Sequence, residues 1–287
     1  MNKENKIILA FQKNEITEHF VYKSLSRMVR SEHNRQILKK ISDDELRHYN
    51  ILKEYSATEV KPRKFSYWFY TFISMIFGVT FGIKLMEKGE GNAQISYTAI
   101  SGTVPEAEKI QSEEEEHENE LINMIDEEKL KYMGSMVLGL NDALVEFTGA
   151  LAGFTFALQN SRVIGMVGFI MGVSASFSMA ASEYLSTKTE ADDKNPVKAS
   201  FYTGTAYILT VIMLVCPYFI FQNHFLSLTV TIAFAILLIL IFTFYSSVVK
   251  DISFKKRFAE MLIISMGVAA ISFAIGLIVK KVMNVDV

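Results

Sequence analysis

Cysteine is almost missing from this chain, Cys216 being the only one. A single thiol cannot close an intrachain disulfide, nor build a Cys-based zinc or iron–sulfur cluster. No stretch interleaves basic residues with aromatics, which argues against a nucleic-acid partner, and the net charge of −2 says nothing about partners. The N-terminus has Lys3, Glu4 and Lys6 and only a short apolar run at 7–10. That is no secretory signal, so the first half is expected to stay on the side where it is made. Proline and glycine are absent before Pro62, which removes helix breakers from the opening segment.

Charge is the other selective absence. Residues 1–131 are dense in Lys, Arg, Asp and Glu, whereas 199–249 contain none of the four. Further charge-free runs cover 65–83, 163–182 and 261–279. About 20 apolar residues match the hydrocarbon thickness of a bilayer. Five spans are expected, at about 134–159, 163–187, 200–222, 226–249 and 259–280. Lys188, Lys194 and Lys198 follow the second span, and Lys250, Lys255, Lys256 and Arg257 follow the fourth. The positive-inside rule puts both loops and residues 1–131 in the cytosol, with the C-terminal tail outside a cytoplasmic membrane.

Before the spans, 3–56 reads as two amphipathic helices with cap signals at Ser31 and at Ser42, the latter followed by Asp43, Asp44 and Glu45. A second pair is expected at about 82–100 and 105–128, with Pro105 in a first turn. Between the pairs, 65–86 has the length of a span but would put them on opposite sides of the membrane. It is read as a crossover lying along the bundle or on the membrane surface. The fold class is all-α, with a four-helix bundle domain at 1–131 and a five-helix transmembrane domain at 132–287.

Two patterns in the first half carry chemistry. Glu15 precedes Tyr22 by seven residues and Glu45 precedes His48 by three; Glu90 then precedes Tyr97 by seven and Glu114 precedes His117 by three. Each spacing keeps both side chains on one helix face. One Glu-x-x-His alone is ordinary surface charge, and the run 113–116 would normally be solvated. The ordered recurrence fits a di-metal site in a bundle core, where carboxylates bridge two cations and imidazoles suit iron, manganese or zinc. In the first span Asp142 and Glu146 share a face, although one carboxylate at membrane depth costs about 2.5–3.5 kcal/mol. The second span adds Met171, Met179 and Glu183. Methionine there is usually packing, but a thioether beside carboxylates also suits iron(II). Gly149, Ala150, Ala152 and Gly153 permit close helix approach or dimer packing.

On Glu15 with Tyr22, Glu45 with His48, Glu90 with Tyr97, Glu114 with His117, and Glu87 as an added carboxylate, residues 5–128 resemble the rubrerythrin branch of the ferritin-like superfamily. The rubredoxin cysteines of that branch are missing. The segment Gly139-Leu140-Asn141-Asp142-Ala143-Leu144-Val145-Glu146, with Thr148-Gly149-Ala150-Leu151-Ala152-Gly153 after it, is similar to the first-helix motif of the vacuolar iron transporter family. Ser178-Met179-Ala180-Ala181-Ser182-Glu183-Tyr184-Leu185-Ser186 resembles the end of that family's second helix. The long acidic loop of vacuolar members is cut here to about 188–198, with the N-terminal bundle in its place, and the whole resembles the membrane-bound ferritin (erythrin–vacuolar transporter) family. The resemblance implies a homodimeric, proton-coupled exporter of iron(II) or manganese(II). Asp142, Glu146, Met179 and Glu183 would line its path, and a di-iron (or manganese or zinc) bundle site would capture or sense metal. The alternative is a membrane-anchored di-iron oxidase or peroxidase without transport, and ferroxidase activity of the bundle stays open.

Overall fold

The computed structural model describes residues 3–91, 97, 100–123, 132–189, 194–250 and 252–283. The chain is all-α and divides into two compact units, Met1–Asp126 and Glu127–Val287. In the first unit α1 (Lys3–Ser26) and α2 (Glu32–Ser56) lie side by side, followed by α3 (Lys64–Phe77), α4 (Val79–Gly91) and α5 (Ala107–Asn123). Ser31 caps α2 as expected, its hydroxyl accepting the Asn34 N–H at 3.3 Å. No cap forms at Ser42. Leu38 and Ile41 carry the apolar spacing into it without a breaker, so the helix runs on. The buried Ser42 hydroxyl instead donates to the His19 carbonyl at 3.1 Å.

Two further expectations are corrected at element ends. Pro105 stands two residues ahead of α5 rather than in its first turn. The helix expected at 82–100 starts earlier, at Val79, and its described part ends at Gly91, with Gly89 also in the last turn, where glycine costs helix stability. The stretch 65–86 is not one segment either: Gly78, at φ 100°, splits it into α3 and α4.

Apolar side chains in this unit form two layers. Ile8, Leu52, Ile100, Val104 and Ala107 make one, and Val21, Leu25, Leu38, Ile41, Ile83, Met86 and Leu121 make the other. Along α1, α2 and α5 the stretch between those layers carries the ionisable residues of the motifs: Glu15, then Glu45 and His48, then Glu114 and His117. The fold therefore wedges a charged stratum between two dry ones.

Among the described residues of the second unit, five helices are long and apolar enough to cross a membrane. They are α6 (Met133–Leu158), α7 (Ser161–Thr189), α8 (Pro196–Ile220), α9 (His224–Val249) and α10 (Phe254–Met283). Asn195 and Asn223 cap α8 and α9 through their side-chain oxygens. Leu144, Phe147, Leu151, Tyr207, Val211, Leu214 and Tyr218 form the core. Hydroxyls pin the helices together. Thr203 donates to the Ser135 carbonyl at 2.9 Å, and Thr231 to that of Leu214 at 2.9 Å.

Inside α6, residues Ala143–Phe147 form a π-helical turn. Such wide turns disturb the regular hydrogen-bond ladder and gather at functional sites. Here Ser265 of α10 donates to the Leu144 carbonyl at 2.7 Å, supplying a partner within the turn. A Cβ on Gly139 would lie 2.4 Å from the Thr203 carbonyl oxygen of α8, and one on Gly276 the same distance from the Gly153 carbonyl oxygen. Gly149 and Gly153 thus serve close approach within one chain, against Val268, Ser272 and Gly276 of α10.

Candidate metal centre

The charged stratum brings four of the expected residues to one point. Ligand atoms of Glu15, Glu45, His48 and Glu114 all lie within 4.8 Å of one another. His48 Nδ1 is 3.0 Å from Glu114 Oε1, 3.4 Å from Glu15 Oε2 and 3.7 Å from Glu45 Oε2. His117 joins from the other side, its Nδ1 3.4 Å from Glu45 Oε1 and 3.7 Å from Glu114 Oε2. The two imidazoles are stacked with centroids 6.0 Å apart. Glu87 is held by the Tyr22 hydroxyl, which donates to it at 2.9 Å, while the Tyr97 hydroxyl donates to Glu15. The side chain of Glu90 lies outside the described residues.

A regularity appears here that the motif spacing does not contain. Each histidine turns Nδ1 inward and gives Nε2 to an acid on the other helix. His48 Nε2 lies 2.9 Å from Glu113 Oε2, and His117 Nε2 lies 3.2 Å from Asp44 Oδ2. Asp44 and Glu113 are the residues just before the two Glu-x-x-His motifs. Arg47 joins them, at 2.6 Å from Asp44 and 3.1 Å from Glu113. An outer carboxylate on the far imidazole nitrogen fixes a ligand's tautomer and orientation.

The electrostatics are those of carboxylates crowded together in a dry place. Burial, then the charge of Glu45, raises Glu15 well above the ordinary carboxylate range. Burial, then Glu114, raises Glu45, and burial pushes Glu87 up to about 7. Burial alone would depress both imidazoles, but Glu114 and its neighbours outweigh it. His48 is held far above its ordinary value and His117 is pushed up to about 10. The same hydrogen bonds hold Glu114 below the usual range against the effect of its burial. Protons thus neutralise what cations neutralise in a loaded site.

Even so, satisfaction is incomplete. Glu15 Oε2, Glu45 Oε2 and His117 Nδ1 are buried and lie within ion-pair range of a neighbour, yet none has hydrogen-bond geometry. Buried orphan atoms of this kind call for a partner. All three belong to one cluster, and once their protons leave, carboxylate oxygens with imidazole nitrogen suit iron, manganese or zinc. The residues present therefore fit a metal ion.

In the second unit, Asp142 immediately precedes the π-helical turn and Glu146 lies within it, Asp142 partly buried and Glu146 exposed. Buried Tyr207 of α8 lies within electrostatic reach of both. Glu183 accepts a hydrogen bond from Ser135 near the start of α6. Met171 and Met179 pack against the apolar core. Among the described residues this unit assembles no ligand group comparable to that around Glu15.

A profile of the VIT family, the vacuolar iron transporters, matches residues 133–195, which contain the first two candidate spans with Asp142, Glu146, Met171, Met179 and Glu183. No curated protein and no solved structure matches the chain.

Proposed function

We propose that this chain exports a divalent metal, iron(II) or manganese(II), across the cytoplasmic membrane in exchange for protons. The observation that carries the reading is the match to a metal-transporter family over a segment whose first candidate span contains Asp142 and Glu146. Two carboxylates at that depth are expensive and mark ion pathways in membrane helices. Asp142, Glu146 and Glu183 supply the negative charge that a cation follows, and the methionines shape the walls beside them. The N-terminal unit is a ferritin-like, rubrerythrin-type bundle in which Glu15, Glu45, His48, Glu87, Glu90, Glu114 and His117 hold a di-metal centre. Tyr22 and Tyr97 orient Glu87 and Glu15. A di-iron pair held there supplies one-electron chemistry; the residues themselves capture the cation and release protons as they do so. That unit faces the cytosol on the strength of the basic loops.

A two-fold homodimer completes the assembly. Glu146 is exposed on the surface of a single chain, where lipid contact would be costly, and a second copy covering it would close an aqueous route. Because Gly153 is already occupied by α10, the interface would use the faces of α6 and α7 that carry exposed residues.

Inside-out vesicles holding the full chain should accumulate iron(II) or manganese(II), faster when the lumen is acidic and not at all with Asp142→Asn. Iron oxidation without metal uptake would instead support a membrane-anchored oxidase and overturn transport.

A further inference from the structure

Helix α3 is inside out. After Lys64 at its first position, its exposed residues are Phe65, Trp68, Phe69, Phe72, Met75 and Ile76, a helical stripe that carries no charge. Phe65, Trp68 and Met75 are 82%, 68% and 69% exposed. The side turned toward the rest of the unit is the more polar one. Tyr67 and Tyr70 pack there, and Ser74 is buried so close to α4 that a Cβ on Gly82 would lie 1.7 Å from its hydroxyl oxygen. A soluble helix is built the other way round, with its apolar stripe in the core. Contiguous apolar surface of this size marks an interaction site.

We infer that α3 lies in the surface of the bilayer, its Phe65–Ile76 stripe sunk among the lipid headgroups and upper acyl chains, and docks the N-terminal unit there. Three observations favour lipid as the occupant. The helix has 14 residues, about 21 Å, too short to cross about 30 Å of hydrocarbon but suited to lying flat. Its stripe contains tryptophan and its flanks tyrosine, the residues enriched at the membrane interface. Exposed Lys61, Arg63 and Lys64 sit at its N-terminal end, where anionic headgroups attract them, with Glu59 the nearest acid in sequence. The same chain supplies the bilayer: its first candidate span starts at Met133, ten positions beyond Asn123 of α5. That tether keeps the local concentration of membrane high. The dock explains why so much aromatic surface is left on a unit that is otherwise charged outside.

Trp68 is the chain's only tryptophan, so selectively excited tryptophan emission reports on this helix alone. The full chain is reconstituted in vesicles containing anionic lipid and probed with lipids brominated at the head end or the tail end of the acyl chain, and with aqueous iodide. Head-end bromine should remove most of the emission, tail-end bromine less, and iodide little. The triple variant Phe65→Ser, Phe72→Ser, Met75→Ser should exchange that pattern for iodide quenching. Strong iodide quenching of the unaltered chain would overturn the inference. So would resistance to every quencher together with disulfide crosslinking of a Trp68→Cys, Cys216→Ser variant between copies, since a second copy would then cover the stripe.

Discussion

Glu113→Gln tests whether the outer carboxylates shape the metal centre. The substitution keeps volume and one hydrogen-bonding oxygen but removes the charge that faces His48 Nε2 at 2.9 Å. Arg47 keeps Asp44 as a partner, so nothing buried is left as an uncompensated cation. Losing such an outer partner typically weakens metal affinity about 10- to 100-fold, or about 1.4–2.7 kcal/mol. Asp44→Asn should do the same through His117. Because both acids share Arg47, the double variant should depart from additivity by about 0.5–3 kcal/mol. Competition between the metal-stripped full chain in detergent and a chelating dye for manganese(II) measures all three. Exposed Glu115→Gln, one residue from the same motif, is the control. Affinity within about twofold of the unaltered chain in both single variants would refute the assignment, because a factor that small is about 0.4 kcal/mol.

Other perturbations follow from the same geometry. His117 is pushed up to about 10, so its stabilising contribution is complete below its ordinary 6.5 and is lost as pH rises through about 10. Glu87, raised to about 7, acts in the same direction between its ordinary 4.5 and 7. The metal-stripped chain should therefore melt lower as pH climbs, followed by Trp68 fluorescence, and the stabilisation by added manganese(II) should grow over that interval; a flat profile would contradict the balance of protons described above. Asp142→Asn should stop metal uptake by vesicles while manganese(II) binding by the same detergent-solubilised variant is unchanged, and retained uptake would make Asp142 structural. Gly276→Ala should cost about 1–3 kcal/mol in detergent melting, since its Cβ meets the Gly153 backbone, while Gly267→Ala, with open space around it, should be neutral or stabilising.

What could be read in advance, and what could not, follows from the range of each signal. The Glu-x-x-His pairs act within one helical turn, so a shared face for each Glu and His was readable from spacing of three, and the ordered recurrence of the pairs pointed to one site. Asp44 and Glu113 act across helices, on the opposite motif's histidine, and within their own helix they look like ordinary surface charge. The tyrosines cross over in the same way: Tyr22 serves Glu87 and Tyr97 serves Glu15, partners 65 and 82 residues away. Spacing could place Tyr22 on the face of Glu15 but could not choose its partner. Ser42 had the composition of a cap, yet helix termini need the chain to leave the helix, and its apolar neighbours did not. Length and apolarity suggested that 65–86 was a single stretch; the positive φ of Gly78 divides it.

The π-helical turn in α6 has a consequence for phase. In a regular α-helix each residue advances about 100°, so Gly139 and Gly153 would sit about 40° apart, nearly on one face. A π turn absorbs one extra residue and sets the later half back by about 100°, moving the two glycines to about 140° apart. Gly139 can then receive α8 while Gly153 receives α10. The wide turn works as a clutch between two halves of one rod, letting a single span seat against neighbours on opposite sides. Asp142 and Glu146 sit where the halves are coupled. Deleting Ala143 would restore an even pitch and turn one of the two close approaches out of register.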